Sequence, residues 1–295
     1  MQFHLFLPQM RMSIDQMVTI ARAAERAGFT GMVGMDHLVP PLAHNQPMYE
    51  AMVTNTWLAA HTEKLLVGSL VLCDAMRNPA VLAREAITLN HASGGRFELG
   101  IGWGSYQLDF DAFGLKPSTP KERVRRLRET LEILTGLWSG EQFDYAGEFN
   151  QIAGIQFAPT PVGKIPILIG GAGPKTMELV GQFADWWNLD VRYLDKMEGD
   201  AFEELRAKAG RARVSTQEMV AWVPAEAQRE AIAEMATRRF GQSSPVVGNG
   251  QELREHFRRR ALQGVERSYV WFCDFGNPET LAAFGEEVIA SLTRE

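Results

Sequence analysis

The stretch Ile165-Pro166-Ile167-Leu168-Ile169-Gly170-Gly171-Ala172-Gly173-Pro174-Lys175-Thr176 decides the fold. Its first five residues form a short, almost wholly apolar run, which is typical of a parallel-sheet strand that is covered on its outer face. A glycine-rich turn follows and leads into a segment with helical periodicity. A strand, a turn and a helix in this order predict one unit of a parallel α/β fold.

The same unit recurs along the chain. Apolar runs separated by helical segments predict eight strands: Phe3–Leu7, Gly31–Met35, Leu65–Leu72, Arg96–Ile101, Ile165–Ile169, Trp186–Leu189, Glu218–Val223 and Ser268–Phe272. Eight alternations with right-handed crossovers close most naturally into a (β/α)8 TIM barrel, which we predict as one domain over residues 1–295. The alternative is an open doubly wound sheet. It would place a glycine fingerprint after the first strand, and Leu7 to Arg11 contain no glycine.

Ordinary helix signals bound the helices between these strands. Ser13 opens a capping box for a first helix that ends near Gly28. Pro79 stands at the first position of a helix that runs to Ala92. An apolar stripe at three- to four-residue spacing predicts another helix over residues 121–137.

Two long segments break the rhythm and are predicted as insertions. Residues 36–55 follow strand two, and residues 139–164 precede strand five. Long excursions of this kind often carry function or cover a site. The first leaves the C-terminal end of a strand, where barrel active sites lie, whereas much of the second lies away from that face.

The composition suits a globular enzyme of 295 residues with 45% hydrophobic content. A net charge of -6 argues against nucleic acid as a partner, because phosphate backbones need a basic face. Cys73 and Cys273 are the two cysteines, and their spacing indicates neither a disulfide framework nor a zinc site.

Membrane and export signals are missing from the pattern as well. No apolar run approaches the roughly 18 residues that span a membrane. The segment Met1–Met12 lacks a charged lead-in and a cleavage site. We therefore expect a cytoplasmic protein that acts on a small organic molecule.

Strand two ends in Asp36 and His37, at the end of the barrel where catalytic side chains collect. An imidazole exchanges protons near neutral pH, so His37 is a candidate catalytic residue. Asp36 is a candidate to orient it or to hydrogen-bond a ring of a bound coenzyme. The alternative is a structural histidine that holds the proline-rich loop in place.

A candidate anion site follows strand five. Gly170, Gly171, Ala172 and Gly173 allow backbone N–H groups to approach a phosphate, and the helix start adds unpaired donors. Lys175 adds a positive charge in the first turn. The spacing is neither a Walker loop nor a dinucleotide fingerprint, so a glycine-rich tight turn is the alternative.

Glycines also alternate through the end of strand four, at Gly100, Gly102 and Gly104. In a strand this spacing clears one face for something flat to approach closely. A bulge or a bend at the barrel corner is the alternative. Trp103 offers a flat apolar surface for a ring or a substrate, so we take Gly102 and Trp103 as candidate coenzyme contacts.

Taken together, six blocks in this order resemble the luciferase-like monooxygenase superfamily over nearly the whole chain. The blocks are Gly31–His37; Arg77–Ala80 with Thr88-Leu89; Ser93–Gly104 with Phe113-Gly114; Leu131–Gly140; Ile165–Pro174 with Ala184–Asn188; and Gly264–Arg267. The Asp36-His37 pair is similar to the coenzyme F420-dependent oxidoreductase branch. Relatives that use flavin mononucleotide (FMN) more often have a Glu-His-type pair at this position.

The resemblance implies coenzyme F420 as the cofactor, with FMN as the alternative. It implies that His37 lies near the reactive carbon and that Asp36 hydrogen-bonds the ring system. Ser69 and Leu70 match the strand-three bulge that backs the ring, where this family can hold a cis non-proline peptide bond. The segment Gly170–Gly173 matches the backbone cradle for the coenzyme phosphate, and Lys175 is a candidate for its anionic tail.

The resemblance also bears on assembly and substrate. Related proteins pair as homodimers, and an apolar contact patch is predicted from Met48, Met52, Val53 and Trp57. The sugar-phosphate dehydrogenases of the family have a glutamate where this sequence has Trp103 and a tryptophan where it has Pro41. Because neither residue type is preserved, we predict that the substrate is not a sugar phosphate.

Three functions remain open from the sequence. The first is a deazaflavin-dependent oxidoreductase that transfers hydride. The second is an FMN-dependent monooxygenase that uses O2 and flavin reduced by a separate coenzyme reductase. The third is a non-catalytic carrier of the coenzyme. The sequence disfavours a metal-dependent barrel hydrolase, because no histidine falls between His91 and His256 and the ligand count is too low.

Overall fold

The structure, a computed structural model, describes residues 1–41, 43, 45–116, 118–241 and 245–293. Residues 42 and 44 of the first predicted insertion therefore lie outside the described ranges. In the described ranges the strands are β1 Gln2–Phe6, β2 Gly31–Gly34, β3 Leu66–Ser69, β4 Leu72–Cys73, β5 Phe97–Gly102, β6 Phe143–Ala146, β7 Gln151–Ile155, β8 Ile167–Gly170, β9 Trp186–Asp190, β10 Arg213–Trp222, β11 Val246–Gly248 and β12 Arg267–Phe272.

The helices of the same ranges lie between these strands, except α11 and α12, which follow the last one. They are α1 Ile14–Arg26, α2 Ala51–His61, α3 Pro79–Ala92, α4 Gln107–Ala112, α5 Pro120–Trp138, α6 Pro174–Phe183, α7 Val191–Leu194, α8 Ala201–Ala209, α9 Arg229–Phe240, α10 Gly250–Leu262, α11 Pro278–Phe284 and α12 Ala290–Leu292. The segment Gly285–Ile289, between α11 and α12, is a π-helical turn. None of the helices in the described ranges combines the length and the apolar composition needed to cross a bilayer.

Parallel pairing closes the sheet into a barrel. The strands follow one another in the order β12, β1, β2, β3, β5, β8 and β9, and β10 pairs with both β9 and β12. The first and last strands meet with Gln2 opposite Arg267. The predicted (β/α)8 barrel is confirmed, and the open doubly wound sheet is wrong.

Six of the eight predicted strands agree with the observed bounds to within two residues, and two differ by more. The third was predicted as continuous, but it ends at Ser69, and the chain resumes pairing with β5 at Leu72. The peptide bond between Leu70 and Val71, inside this break, is cis. The seventh begins at Arg213, five residues before the predicted Glu218.

The early start of β10 has a physical reason. Its first half is polar in sequence, but Ser215 and Thr216 are fully buried. The Ser215 hydroxyl donates to the Trp187 carbonyl, and Thr216 and Ser268 share a hydrogen bond between their hydroxyls. Satisfied hydroxyls are compatible with a buried strand, so an apolar pattern alone misses this half.

The predicted helix starts are confirmed to within one residue. Ser13 caps α1 in a complete capping box, with its hydroxyl accepting from the Gln16 amide. Pro79 is the first residue of α3, and Asn78 caps it. A second capping box, formed by Thr119 and Glu122, opens α5.

The insertion before strand five contains an antiparallel hairpin, β6–β7. The buried Glu129 of α5 anchors its turn, because its carboxylate accepts hydrogen bonds from the backbone N–H groups of residues 148–150. The segment between β10 and β12 is a further excursion that the sequence pattern did not single out. It adds β11, which pairs with the end of β10.

The core has two layers. One fills the lumen of the barrel, and the other lies between the sheet and the surrounding helices. Aromatic and aliphatic side chains fill the lumen, among them Phe6, Val33, Leu168, Trp186 and Tyr269. Near the N-terminal ends of the strands, the Arg267 guanidinium lies 2.7 Å from the Glu98 carboxylate, and both side chains are 3% exposed. Burial, with the charge of Arg267 adding to it, lowers the pKa of the nearby His4 well below its ordinary value. His4 is therefore a neutral lumen residue.

We predict that Glu98→Gln lowers the free energy of unfolding by about 3–5 kcal/mol, because it leaves the Arg267 charge buried without its partner. Urea denaturation measures this change. The matched control is Glu266→Gln. It breaks the exposed pair between Arg213, at the start of β10, and Glu266, just before β12, whose side chains are 47% and 38% exposed. The control should cost less than about 1 kcal/mol, and equal losses would contradict a stabilising role for the lumen pair.

Candidate active site

A cavity of about 400 Å³ opens at the C-terminal ends of β2, β3, β5 and β8. The side chains and backbone around it come from the segments after these strands. They are Met35, Asp36, His37, Leu70, Val71, Leu72, Cys73, Gly102, Trp103, Gly104, Ser105, Tyr106, Asp109, Phe110, Gly170 and Gly171. Closure of the barrel therefore brings four separate stretches of sequence to one site, at the face where barrel enzymes carry out their chemistry.

His37 has a defined hydrogen-bond partner in this cavity. Its Nδ1 atom lies 2.7 Å from Oδ2 of Asp109, in α4. A carboxylate can only accept, so it favours the neutral tautomer that carries its proton on Nδ1. The Nε2 atom is then left to accept or return a proton. The ring of Tyr106 packs edge-on against the imidazole, with ring centres 5.1 Å apart.

Asp36 is bound by a different set of groups. Its carboxylate accepts two hydrogen bonds from the Arg77 guanidinium and one, of 2.7 Å, from the backbone N–H of Cys73. Arg77 also contacts Glu50 at 2.7 Å. Burial opposes the charge of Arg77, but Asp36 and Glu50 outweigh this effect and raise the pKa of its guanidinium. Asp36 thus holds the segments after β2 and β4 together, and the carboxylate that orients His37 is Asp109.

The glycines at the mouth fall into two classes. A Cβ atom on Gly100 would lie 1.9 Å from the Ser69 carbonyl oxygen, so packing of the barrel itself excludes a side chain there. At Gly170 and Gly173 the nearest atoms to such a Cβ are 3.9 and 3.8 Å away. Internal packing does not require glycine at these two positions. The space beside the start of α6 therefore fits an anionic group that approaches the backbone, as the cradle for a coenzyme phosphate requires.

The predicted site residues divide by position. Those that line the cavity are Asp36, His37, Leu70, Gly102, Trp103, Gly170 and Gly171. Ala172 and Gly173 continue from Gly171 to the start of α6. Ser69 is buried, and its hydroxyl accepts a hydrogen bond from Asn55 behind the barrel wall. Lys175 is 74% exposed and pairs with Glu178.

Two residues of the site were missed by the sequence reasoning. Asp109 stands seven residues beyond the end of β5, and no spacing rule connects it with His37. Arg77 was noted only as part of a family block, although an arginine just before the cap of α3 is close to the strand ends. A charged residue in a segment that follows a barrel strand is the signal that was available for both.

The described ranges contain no cluster of side chains that could serve as metal ligands. No group of three or more His, Cys, Asp or Glu side chains is arranged there to hold a metal ion.

Of the two cysteines, Cys73 lines the cavity beside His37 and Asp109. Burial, with the neighbouring carboxylates of Asp36 and Asp74 contributing, raises its pKa to about 11. The thiol is therefore protonated at neutral pH and is not an activated nucleophile.

Known proteins resemble the chain in both sequence and structure. The sequence model of the luciferase-like monooxygenases matches residues 1–283. An F420-dependent glucose-6-phosphate dehydrogenase of Nocardia farcinica is 33% identical over 217 residues, which are 70% of this chain and 63% of the relative. The chain thus matches less than two thirds of that relative's length.

Two solved structures share the fold. An F420-dependent secondary alcohol dehydrogenase in complex with an F420-acetone adduct has a TM-score of 0.80 at 19% identity, with 98% of each chain covered. A riboflavin lyase with modified FMN and riboflavin has a TM-score of 0.84 at 14% identity, covering 99% of this chain and 91% of its own.

Alkylation kinetics test the environment of Cys73. In a Cys273→Ser variant, which leaves one thiol, iodoacetamide should react slowly at pH 8. The rate should rise about tenfold per pH unit towards pH 11, because only the thiolate reacts. A molecule bound in the cavity should protect Cys73. Rapid labelling at pH 7 would contradict the raised pKa, and a Cys73→Ser, Cys273→Ser double variant gives the background.

Proposed function

The chain belongs to the luciferase-like monooxygenase family, and from this premise we propose that it is an oxidoreductase that moves a hydride between coenzyme F420 and a small organic substrate. The observation that carries the proposal is the pair of His37 and Asp109 on the wall of a cavity that also meets the glycine cradle. The name of the Nocardia farcinica relative supports F420 as the coenzyme. When bound, the deazaflavin supplies a carbon that accepts or donates a hydride.

The residues of this chain would handle the proton and the positioning. With Nδ1 of His37 held by Asp109, Nε2 takes the proton of a substrate hydroxyl, or returns it to a carbonyl oxygen in the reverse direction. Trp103 and the backbone at Gly102 form part of the surface against which a flat ring would lie. Gly170, Gly171, Ala172 and Gly173 would hold the phosphate, with Lys175 near its anionic tail.

Leu70 lines the cavity, whereas the Ser69 side chain points into the wall behind it. We therefore assign the contact with the ring to the segment around Leu70 and a supporting role to Ser69. Asp36, which is held by Arg77, would fix the position of the C-terminal end of β2 beneath the ring. The exposed ion pair of Lys175 adds little to stability, so its proposed role is binding alone.

The second candidate is an FMN-dependent monooxygenase that uses O2 and depends on a separate coenzyme reductase. The fold similarity to a riboflavin lyase with modified FMN supports this second candidate. A non-catalytic carrier is the third. Both use the same cavity, so binding and turnover must be measured separately.

We further propose a homodimer, a cytoplasmic location and one domain over residues 1–295. Of the predicted contact patch, Met52 is buried in the core, but Val53 and Trp57 of α2 are 71% and 45% exposed. These two would supply the apolar contact. Sedimentation of the wild type and of Val53→Asp at micromolar concentration tests the dimer, and a monomeric wild type would refute it. Cell fractionation and limited proteolysis test the other two proposals.

Coenzyme titration tests the cofactor. F420 should bind more tightly than FMN, as followed by the fluorescence of the deazaflavin or flavin. Gly171→Leu should weaken this binding at least about tenfold, because a side chain enters the cradle. Gly171 has a φ of +116°, so backbone strain needs a control. Gly199→Leu provides it, since Gly199 has a φ of +57° and open space around it. Tight binding of FMN alone would favour the monooxygenase instead.

His37→Ala should lower turnover by roughly 10²–10⁴-fold, the usual contribution of general acid–base catalysis. Coenzyme affinity should change far less, because the cradle is untouched. Asp109→Asn keeps the shape but can donate to Nδ1, which favours the wrong tautomer, so it should lower turnover while leaving coenzyme binding intact. Full turnover in His37→Ala would reduce this residue to a loop anchor, and a wild type without turnover on any substrate would favour the carrier.

A further inference from the structure

The stretch of chain that carries Asp109 has few ties to the rest of the barrel. Residues 103–116, the α4 segment, leave the end of β5 and contain α4, a helix of six residues that begins without a side-chain cap. A helix of this length is not stable by itself in water. In the described part of the chain, the hydrogen bonds that join this segment to other residues come from two side chains, His37 and Arg123. The position of Asp109 therefore depends on what Arg123 holds.

Arg123 lies in the first turn of α5 and contacts the α4 segment at three points. Its Nη1 atom donates to the Gly104 carbonyl at 2.9 Å, and its Nη2 atom donates to Oε1 of Gln107 at 2.8 Å. Its guanidinium also covers the Phe110 ring, with 3.6 Å between Cζ and the ring centre. The three contacts recur every third residue, so one side chain holds both the approach to α4 and its first turn.

The remaining guanidinium nitrogen holds the chain on the other side of α4. The Nε atom of Arg123 lies 3.2 Å from the carbonyl oxygen of Ser118 and 3.3 Å from its hydroxyl oxygen, and it donates to both. Ser118 directly precedes Thr119, whose capping box fixes the start of α5. Arg123 thus ties both flanks of α4 to the first turn of a long helix. The planar fork of an arginine suits this task, because its donors are fixed relative to one another.

The electrostatics of Arg123 point to placement and not to stability as its role. The residue is 4% exposed, but in the described part of the chain no carboxylate pairs with it, and its acceptors are neutral oxygens. A buried cation without a counter-charge costs hydration free energy that an apolar side chain of similar volume would not. Arg126, one turn further along α5, has the Asp74 carboxylate as its partner instead.

We propose that Arg123 is a positioning residue for the pair of His37 and Asp109. Asp109 lies between Gln107 and Phe110, the two residues of α4 that Arg123 contacts. Arg123 thereby holds Oδ2 of Asp109 against Nδ1 of His37, which keeps the proton of the neutral imidazole on Nδ1 and leaves Nε2 free. This inference rests on the proposed function, in which Nε2 exchanges the proton, but the tautomer is measurable without coenzyme.

Nitrogen NMR of the coenzyme-free protein reads the tautomer directly. In protein labelled with ¹⁵N-histidine, the two ring nitrogens have different shifts in each neutral tautomer, and the spectrum of His37→Ala assigns the signals of His37. At a pH where the ring is neutral, the wild type should carry its proton on Nδ1. Arg123→Ala should give a mixture of the two tautomers, because α4 no longer holds Asp109 in place. A wild-type ring protonated on Nε2 would overturn the inference.

Turnover and chemical rescue test the same residue independently. In the F420-loaded enzyme, Arg123→Ala should lower kcat by roughly 10²-fold, the usual cost of a misplaced catalytic group, and should change coenzyme affinity far less. Millimolar guanidinium chloride should restore both the tautomer and part of the turnover, since the ion fits the vacated acceptors. Sodium chloride at the same concentration controls for ionic strength and should restore neither. Arg123→Lys keeps the charge without the fork, so its effect should be intermediate.

Two other arginines of α5 provide matched controls. Arg125→Ala removes an exposed guanidinium that pairs with Glu148, and it should change neither tautomer nor turnover. Arg126→Ala removes a guanidinium that is 18% exposed and holds Asp74. It should lower the free energy of unfolding but leave the His37 proton on Nδ1. If it disturbs the tautomer as much as Arg123→Ala does, the cause is a general loosening of α5 and the inference fails.

The possible failures are separable. If Arg123→Ala keeps the proton on Nδ1, Arg123 does not position the pair, whatever the enzyme catalyses. If Arg123→Ala does not fold, Arg123→Lys decides, and an unchanged tautomer in that variant refutes the positioning role. If the tautomer responds as expected but the F420-loaded wild type turns over no substrate, the positioning role stands and the proposed function fails.

Discussion

The backbone ladder between β1 and β12 is the contact on which the rest of the molecule depends. It joins Gln2 to Arg267 and Leu5 to Val270, so the two ends of a long chain lie side by side. Once this ladder forms, the C-terminal ends of all eight barrel strands stand in a ring. His37 and Asp109 are 72 residues apart in sequence, and their side chains meet because β2, β3 and β5 are neighbours in this sheet. The chemistry of the site is thus a consequence of topology before it is a consequence of any local motif.

A second constraint acts where β3 and β5 approach each other. Gly68 and Gly100 face backbone carbonyls so closely that a Cβ on either would lie within 2.6 Å of an oxygen. The ladder between these strands is broken after Ser69 and resumes at Leu72. Leu70 and Val71, in the break, line the cavity instead of pairing. The break in the ladder therefore leaves two apolar residues at the cavity.

The sequence was sufficient to predict the barrel, because each strand-helix unit has its own local sequence signals. Apolar runs identify strands, and Ser13 and Pro79 mark helix starts, where the capping hydrogen bonds join residues two or three positions apart. It was also sufficient to place His37 and Gly171 at the mouth, since both directly follow strands. It was insufficient for the partners of His37 and Asp36. Which carboxylate meets which cation depends on the angle at which α4 and the β4 segment return to the mouth, and no local pattern encodes that angle.

The division of labour between the two carboxylates follows from their surroundings. The Asp36 carboxylate accepts hydrogen bonds from the Arg77 guanidinium and from a backbone N–H, so its role is to hold the surrounding segments together. In the described part of the chain, the hydrogen-bond partner of the Asp109 carboxylate is the His37 ring, which can itself gain or lose a proton. When His37 gains a proton the pair is internally compensated, and when His37 loses it the negative charge is left facing the cavity. None of the described residues that line the cavity is a lysine or an arginine, so this alternation would be the main change in charge that a bound molecule meets. If His37 carries the proton as proposed, the contacts that orient it would also determine how its charge responds to a molecule bound in the cavity.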